Sequence, residues 1–442
     1  MDELETFMRD LKNIAYNVSD ICTARAVISK INEFLYNTHE NIGTVTALGE
    51  RFTYLSEFHK YWHKNYKDIL GLKVDAIACE AVAKALHEVY IRTNGRAFKE
   101  IYDTCGLKDE AICRVRLLTA NQDFRGSRNF KELAEIYISD PSVFDINEMY
   151  NSPENFIKEI EATNLSQTDK RTMYAKNIAK FLLDEGVEPY RLIDKYNGDL
   201  VAVRNALIEN ENAGYGNKKA DMFIRDMVVL NIWKNYKNFD KINVASDVNT
   251  IRVALRTGIL HSEIPLVSSF MDIFCYQYGY VDEMNAKAWY EVWRVWNKQY
   301  PTESIESPCM LDYFIYNVVG KQFCKDILCL FKCENGHSFY WHSARNKTCQ
   351  VCYDTFHKKT KAKLVQKLLP CESDKGYLAI EKSDFVRSGI AQPNYSQCPF
   401  KAICEHYGNK KLMPPKSISI KGQTGWVSAY SSKETGGGGL MA

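Results

Sequence analysis

The chain has 442 residues, 45% hydrophobic and 25% charged, enough for two or three domains with a sizeable core, and this balance excludes wholesale disorder. The net charge of +2 excludes a strongly basic protein, though not a local basic groove. No apolar run reaches the roughly 20 residues of a membrane span, and the start, MDELETFMRDLK, is charged and amphipathic rather than a secretory leader, so a cytoplasmic location (the nucleoid, if prokaryotic) is expected.

Residues 1–108 read as a helical region. Ile14, Ile21, Ala24, Val27, Ile28, Ile31 and Leu35 keep helical spacing, as do the apolar positions from Ala76 to Val89. Tyr54, Phe58, Tyr61, Trp62, His63 and Tyr66 alternate with Lys60, Lys64 and Lys67. A helix–helix contact with lysine stems lying over it is the simpler reading, and a stacking surface for nucleic acid is the other. Residues 109–305 read as a helical core. Helices are expected over Ala111–Ala120, Phe130–Ile138, Ser166–Leu183 and Leu200–Asn210, with cap and turn signals at Asp140-Pro141-Ser142, Ser152-Pro153-Glu154 and Asn197-Gly198-Asp199. Little in this stretch alternates with period two, so almost no sheet is expected. The Trp- and Tyr-rich segment 261–305 reads as helical packing. Residues 306–415 form a cysteine-rich region, and 416–442, with Gly436 to Gly439 in a row, read as a partly disordered tail.

The stretch Gly214-Tyr215-Gly216-Asn217-Lys218-Lys219-Ala220-Asp221 lies between two helical patterns and reads as helix, tight glycine turn, helix. Glycines allow φ > 0 and close approach of another molecule. Their amides precede a helix N-terminus, which favours a phosphate. Lys218 falls in the first turn beside whatever is bound, and Lys219 is a further candidate contact. Downstream, Val244-Ala245-Ser246-Asp247-Val248-Asn249 is a short apolar stretch holding one acid. A lysine amine can attack a sugar C1′ as a base leaves, provided its proton is lost, and a carboxylate can stabilise the cationic sugar. A phosphate contact by Lys218 is the bland alternative.

This hairpin resembles that of the helix-hairpin-helix DNA glycosylases, the superfamily of endonuclease III and 8-oxoguanine glycosylase, whose Gly-x-Gly-x-Lys lysine falls on Lys218. Val244 to Asn249 resembles the segment carrying their catalytic aspartate, which falls on Asp247. Leu117-Leu118-Thr119-Ala120-Asn121-Gln122 is similar to the element whose glutamine fills the gap left by the extruded base, so Asn121 or Gln122 takes that place. The resemblance implies a mainly α fold of two helical halves with the active site in the cleft between them. It also implies a DNA N-glycosylase with AP-lyase activity acting on double-stranded DNA that carries a damaged or modified base. A monofunctional glycosylase and a non-catalytic DNA-binding module are the alternatives. A monomer acting away from membranes is expected.

Of fourteen cysteines, Cys22, Cys79, Cys105, Cys113 and Cys275 are scattered and read as small buried hydrophobes. The other nine follow residue 308. Cys333, His337, Cys349 and Cys352 have the spacing of a tetrahedral zinc site and resemble a small zinc ribbon over about 329–356. His342 and Cys329 are alternative ligands. Cys398-Pro-Phe-Lys-Ala-Ile-Cys404 resembles the last two ligands of the [4Fe–4S] loop of endonuclease III, and Gly320-Lys321-Gln322-Phe323-Cys324 resembles its first. The position of the remaining ligand holds Tyr395. Cys371 is the expected substitute, with Cys309 and Cys329 behind it, and the zinc ribbon is then an insertion in the loop. Lys401, Lys410, Lys411 and Lys416 would line a basic surface on it.

Overall fold

The polar residues that mark helix starts in the sequence act as caps in the computed structural model. It describes residues 71–124, 128–163, 165, 167–261, 278–320, 328–341, 347–349, 352, 355–356, 358–370, 377–381, 384–387 and 398–406, with the single positions 6, 9, 10 and 67. The stripe Ile14–Leu35, the aromatic cluster Tyr54–Tyr66, Cys22, Cys275, Cys324, His342, Cys371, Lys410, Lys411, Lys416 and the tail 416–442 lie outside the described residues. The described residues are mainly helical.

The helices are α1 (Ala76–Thr93), α2 (Asp109–Ala120), α3 (Phe130–Ser139), α4 (Ile146–Asn151), α5 (Pro153–Glu159), α6 (Thr168–Glu185), α7 (Leu192–Lys195), α8 (Leu200–Glu209), α9 (Asn217–Val229), α10 (Val248–Thr257), α11 (Tyr278–Gln299), α12 (Leu311–Tyr313) and α13 (Lys401–His406). A π-helix, Phe314–Gly320, follows α12. Asn129 and Glu132 form a capping box at α3. Asp145 caps α4 and Asp199 caps α8. Ser152 stands at the N-cap of α5 without a side-chain bond, its place fixed by Pro153 at the first helical position. Gly186, at φ +64°, closes α6 by donating to the carbonyls of Leu182 and Leu183.

The chain divides into two compact units, one of residues 1–82, 251–288 and 318–442, the other of residues 83–250 and 289–317. In the second, α2 is the central element. Ile112, Cys113, Val115, Leu117 and Leu118 are all buried, and α2 meets α3, α6 and α9. The aromatic segment packs helically, as its sequence indicates: Trp289 and Trp296 are fully buried, with the Trp296 ring edge-on to Tyr90 and Phe98. Cys79 and Cys113 are buried and Cys105 is half-buried.

In the first unit, β1 (Lys73–Val74) pairs with β2 (Leu260–His261). Of the aromatic–basic segment only Lys67 is described, its amine 5.5 Å from the centre of the Tyr280 ring. The same unit holds an antiparallel sheet of β3 (Leu328–Cys333), β4 (Ser338–Trp341), β5 (Lys347–Thr348), β6 (Lys361–Pro370), β7 (Tyr377–Glu381) and β8 (Asp384–Arg387), in the order β4-β3-β6-β7-β8 with β5 also on β6. The sequence shows a ribbon here but not this sheet. The reason lies in β6, where Lys361, Ala362 and Lys363 alternate but Leu364 and Val365 both stay exposed, so the period of two is lost.

Candidate functional site

Helices α8 and α9 are joined by the glycine turn, as the sequence indicates, but its two glycines do different work. Gly214 has φ +77°, and a Cβ placed on it would sit 2.5 Å from the Tyr174 ring. Gly216 is extended, with φ −118° and ψ −176°, and a Cβ there would meet nothing within 4 Å. Gly214 therefore serves the fold. Gly216 leaves open space before α9, a helix of 13 residues with no side-chain cap. Gly214→Ala is expected to cost about 2–4 kcal/mol from left-handed strain and overpacking. Gly216→Ala is expected to melt at the wild-type temperature, since its added methyl meets open space. Equal melting shifts in the two variants would sink this division of labour.

The two lysines of the first turn point to different surroundings. On a helix, residues seven apart share a face. Lys218 and Arg225 lie on one such face, and Lys219 and Asp226 on the next. Lys219 is turned inward: its Nζ donates to the Asn121 carbonyl at 2.8 Å and lies 5.0 Å from the Phe124 ring centre and 5.7 Å from that of Tyr174. Burial lowers its pKa to about 8, with Lys218, Arg171 and Lys170 adding to the effect against the pull of Asp123. It is thus not presented to a passing phosphate. Lys218 is exposed.

Asn121 and Gln122 end α2 and are both buried. The Asn121 amide donates to the carbonyls of Tyr174 (3.1 Å) and Ala213 (3.0 Å), and that of Gln122 to the Arg171 carbonyl (3.2 Å). Arg171, itself fully buried, returns a bond to the Gln122 carbonyl at 2.6 Å. Tyr215 in the hairpin donates to the Leu117 carbonyl at 2.5 Å. The end of α2 is thereby fastened to the hairpin, and neither amide can fill a gap in DNA without leaving these bonds.

Asp247 is the N-cap of α10. Its Oδ1 accepts from the amides of Asn249 (2.9 Å) and Thr250 (2.8 Å), its Oδ2 accepts from the Asn249 side chain (3.0 Å), and its own amide donates to the Thr250 hydroxyl (2.9 Å). The carboxylate is held in one orientation on a rigid element. Asparagine caps as well as aspartate. Asp247→Asn is therefore expected to keep stability within about 0.5 kcal/mol. Asp247→Ala is expected to lose about 1–2 kcal/mol, and an unchanged unfolding free energy in that variant would remove the capping role.

A further acid belongs with these residues. Asp312 on α12 is buried and ion-paired with Arg225. Burial pushes its pKa up to about 6 in spite of Arg225, with Asp247 adding to the rise and Lys218 opposing it. The signal for Asp312 in the sequence is a lone acid inside the apolar run Pro308 to Ile315.

Cys333, His337, Cys349 and Cys352 converge, with their ligand atoms all within 4.8 Å of one another. The turn between β3 and β4 brings Cys333 and His337 together: Gly336, at φ +83°, donates to the Cys333 carbonyl, and the Cys333 amide donates to the His337 carbonyl. The Cys333 Sγ–Cys352 Sγ distance is 3.7 Å, and His337 Nδ1 lies 3.5, 3.8 and 3.3 Å from the sulfurs of Cys333, Cys349 and Cys352. Zinc bonds of about 2.3 Å to sulfur and about 2.0 Å to nitrogen, arranged tetrahedrally, give sulfur–sulfur edges of about 3.8 Å and sulfur–nitrogen edges of about 3.5 Å. The four side chains fit such an ion, and Asn335 donates to Cys352 Sγ at 3.3 Å as an outer support.

No family model matches the sequence, and no curated protein matches it. What the site can do is therefore read from its own residues. Cys398 and Cys404 flank the start of α13, half-buried and outside any disulfide. Cys309, the other described candidate for a cluster, is fully buried beside Ser307 with its thiol pKa pushed up by burial. Among the described residues no helix is long and apolar enough to cross a membrane.

Proposed function

We propose that the protein is a DNA N-glycosylase with AP-lyase activity, acting on double-stranded DNA that carries a damaged or modified base. What supports this reading is the glycine hairpin that opens α9 with Lys218 exposed in its first turn, beside an Asp247 carboxylate fixed by its own cap bonds. Lys218, exposed at the start of α9, is placed to attack C1′ of an extruded nucleotide. The C1′–base bond breaks, the base leaves with its electron pair, and a Schiff base forms that then eliminates the 3′ phosphate. Asp247, fixed by its cap bonds, stabilises the cationic sugar. The open backbone at Gly216 accepts a phosphate at the uncapped start of α9, with Gly214 shaping the turn. Asn121 or Gln122 supports the vacated gap by leaving its present bonds.

Zinc on Cys333, His337, Cys349 and Cys352 holds the ribbon together. A [4Fe–4S] cluster on Cys324, Cys371, Cys398 and Cys404 belongs to the same proposal, and a broad visible absorption band reads it. Borohydride trapping on abasic duplex DNA tests the chemistry. A covalent adduct is expected, and bound DNA without an adduct would favour a non-catalytic binding module or a monofunctional glycosylase.

A further inference from the structure

Charge is unevenly spread along the chain. Residues 328–370, the stretch from β3 to β6, hold eight Lys or Arg against two Asp or Glu, a net +6, while the whole chain carries +2, which leaves −4 for all the rest. A zinc ion on three thiolates and one imidazole takes only one charge from that excess. The register of the sheet places part of it. Lys332 of β3 stands directly opposite Lys363 of β6 on one side and Ser338 of β4 on the other, and Lys361 of β6 stands opposite Thr348 of β5. Directly opposed residues share a sheet face, as do residues two apart on a strand, so these five lie on one face. All five are exposed. Cys333 and Ala362, the next opposed pair, are buried on the other face.

Such a face is costly in isolation. Like charges directly opposite each other destabilise a strand pair, and among the described residues none of Lys332, Lys361 and Lys363 meets an acid. The five positions offer ammonium and hydroxyl groups, with no carboxylate and no aromatic ring. Ammonium and hydroxyl groups are donors to phosphate oxygens, whereas binding of single strands relies on aromatic platforms. Positions two apart on a strand are separated by about 6.6 Å and neighbouring strands by about 4.8 Å, so the donors are spread over a surface rather than gathered in a pocket.

We propose that this face of the ribbon sheet is a docking surface for double-stranded DNA, which it holds by the phosphate backbone without regard to sequence. It rests on the proposed function only for the class of its partner and needs no chemistry from Lys218. Lys332, Lys361 and Lys363 each displace a counterion from the duplex on docking, and the phosphates between them relieve the repulsion of Lys332 and Lys363. The convergence of Cys333, His337, Cys349 and Cys352 holds β3 and β6 in the register that aligns these lysines.

The test is equilibrium binding of undamaged duplex DNA by the full-length, zinc-loaded protein, followed against salt concentration. In Lys332→Gln/Lys361→Gln/Lys363→Gln the slope of log affinity against log salt is expected to fall by about 3. The same variant is expected to melt no lower than the wild type, because it removes a like-charge pair. Lys99→Gln/Lys158→Gln/Lys298→Gln, which takes the same charge from exposed positions elsewhere, is expected to stay within about one unit of the wild-type slope. An unchanged slope in the first variant overturns the proposal, and so does an equal fall in both, which would reduce the effect to net charge. Lysine acetylation of the wild-type protein gives a reading that needs no variant: bound duplex is expected to protect Lys332, Lys361 and Lys363, and equal reactivity with and without DNA overturns the surface. Tighter binding of single-stranded DNA or of RNA through the same lysines overturns the duplex as partner. A wild type that docks duplex through these lysines but gives no borohydride adduct removes the glycosylase-lyase reading alone, whereas an adduct with an unchanged slope in the first variant removes this surface alone.

Discussion

Lys218→Ala is expected to abolish the covalent adduct on abasic DNA and to slow strand cleavage by at least about 10³-fold, while Lys219→Ala keeps the adduct. Acidity alone would choose the other lysine, since Lys219 is the one whose pKa burial has lowered to about 8. Geometry reverses that choice. The Lys219 amine is bonded to the Asn121 carbonyl and lies against two aromatic rings, so it must abandon all three contacts before meeting a sugar. Lys218 starts exposed, with no such contacts to give up. Lys219→Ala should instead cost about 1–2 kcal/mol in thermal unfolding, from lost packing of its stem and an unpaired carbonyl. An adduct that survives in Lys218→Ala and disappears in Lys219→Ala would exchange the two assignments.

Chelation of the metal, or Cys352→Ser, is expected to unfold the C-terminal sheet. Among the described residues the buried cluster there consists of Phe331, Cys333, Cys349, Cys352 and Ala362, so three of its five members are candidate ligands. Ordering β3 to β6 costs conformational entropy that a bound ion would offset. Binding of a structural zinc is worth about 10–16 kcal/mol in small zinc domains, far more than this cluster supplies by burial. Hydrogen exchange should show protection of Leu328–Cys333 and Lys361–Pro370 lost on chelation, with the helical circular dichroism largely kept and one zinc per chain recovered. Protection that persists in a metal-free sample would mean that packing alone holds the sheet.

What the sequence makes legible follows how local the determinant is. The helices are readable because their apolar period and caps lie within a few residues, as at Asn129–Glu132 and Asp199. The zinc ligands are readable because their spacing is short, and Cys333, His337, Cys349 and Cys352 converge as that spacing indicates. Lys218 and Lys219 are indistinguishable by composition, and one helical step of about 100° separates their surroundings. The burial of Asn121 and Gln122 depends on Ala213, Tyr174 and Arg171, which are remote in sequence. Asp312 is the hardest to read, because an acid in an apolar run gains meaning only when Arg225 is brought to it. The sheet is hidden for the same reason: strand pairing is non-local, and β6 exposes apolar residues on both sides of its alternation.

The interleaving of the two units has a consequence for how the protein is made. The helical unit that carries Lys218 and Asp247 takes its last part from residues 289–317, after the chain has contributed 251–288 to the other unit. A ribosome adds about 5–20 residues per second, so Lys218 and Asp247 leave the exit tunnel seconds before Trp289, Trp296 and Asp312 follow. During that interval the first part of the unit waits with one arm of the Arg225 guanidinium still without Asp312 and its aromatic seat for Trp296 open. A chain shortened after α10 would remain in that waiting state: Lys218 and Asp247 would both be present, and Trp289, Trp296 and Asp312 would be missing.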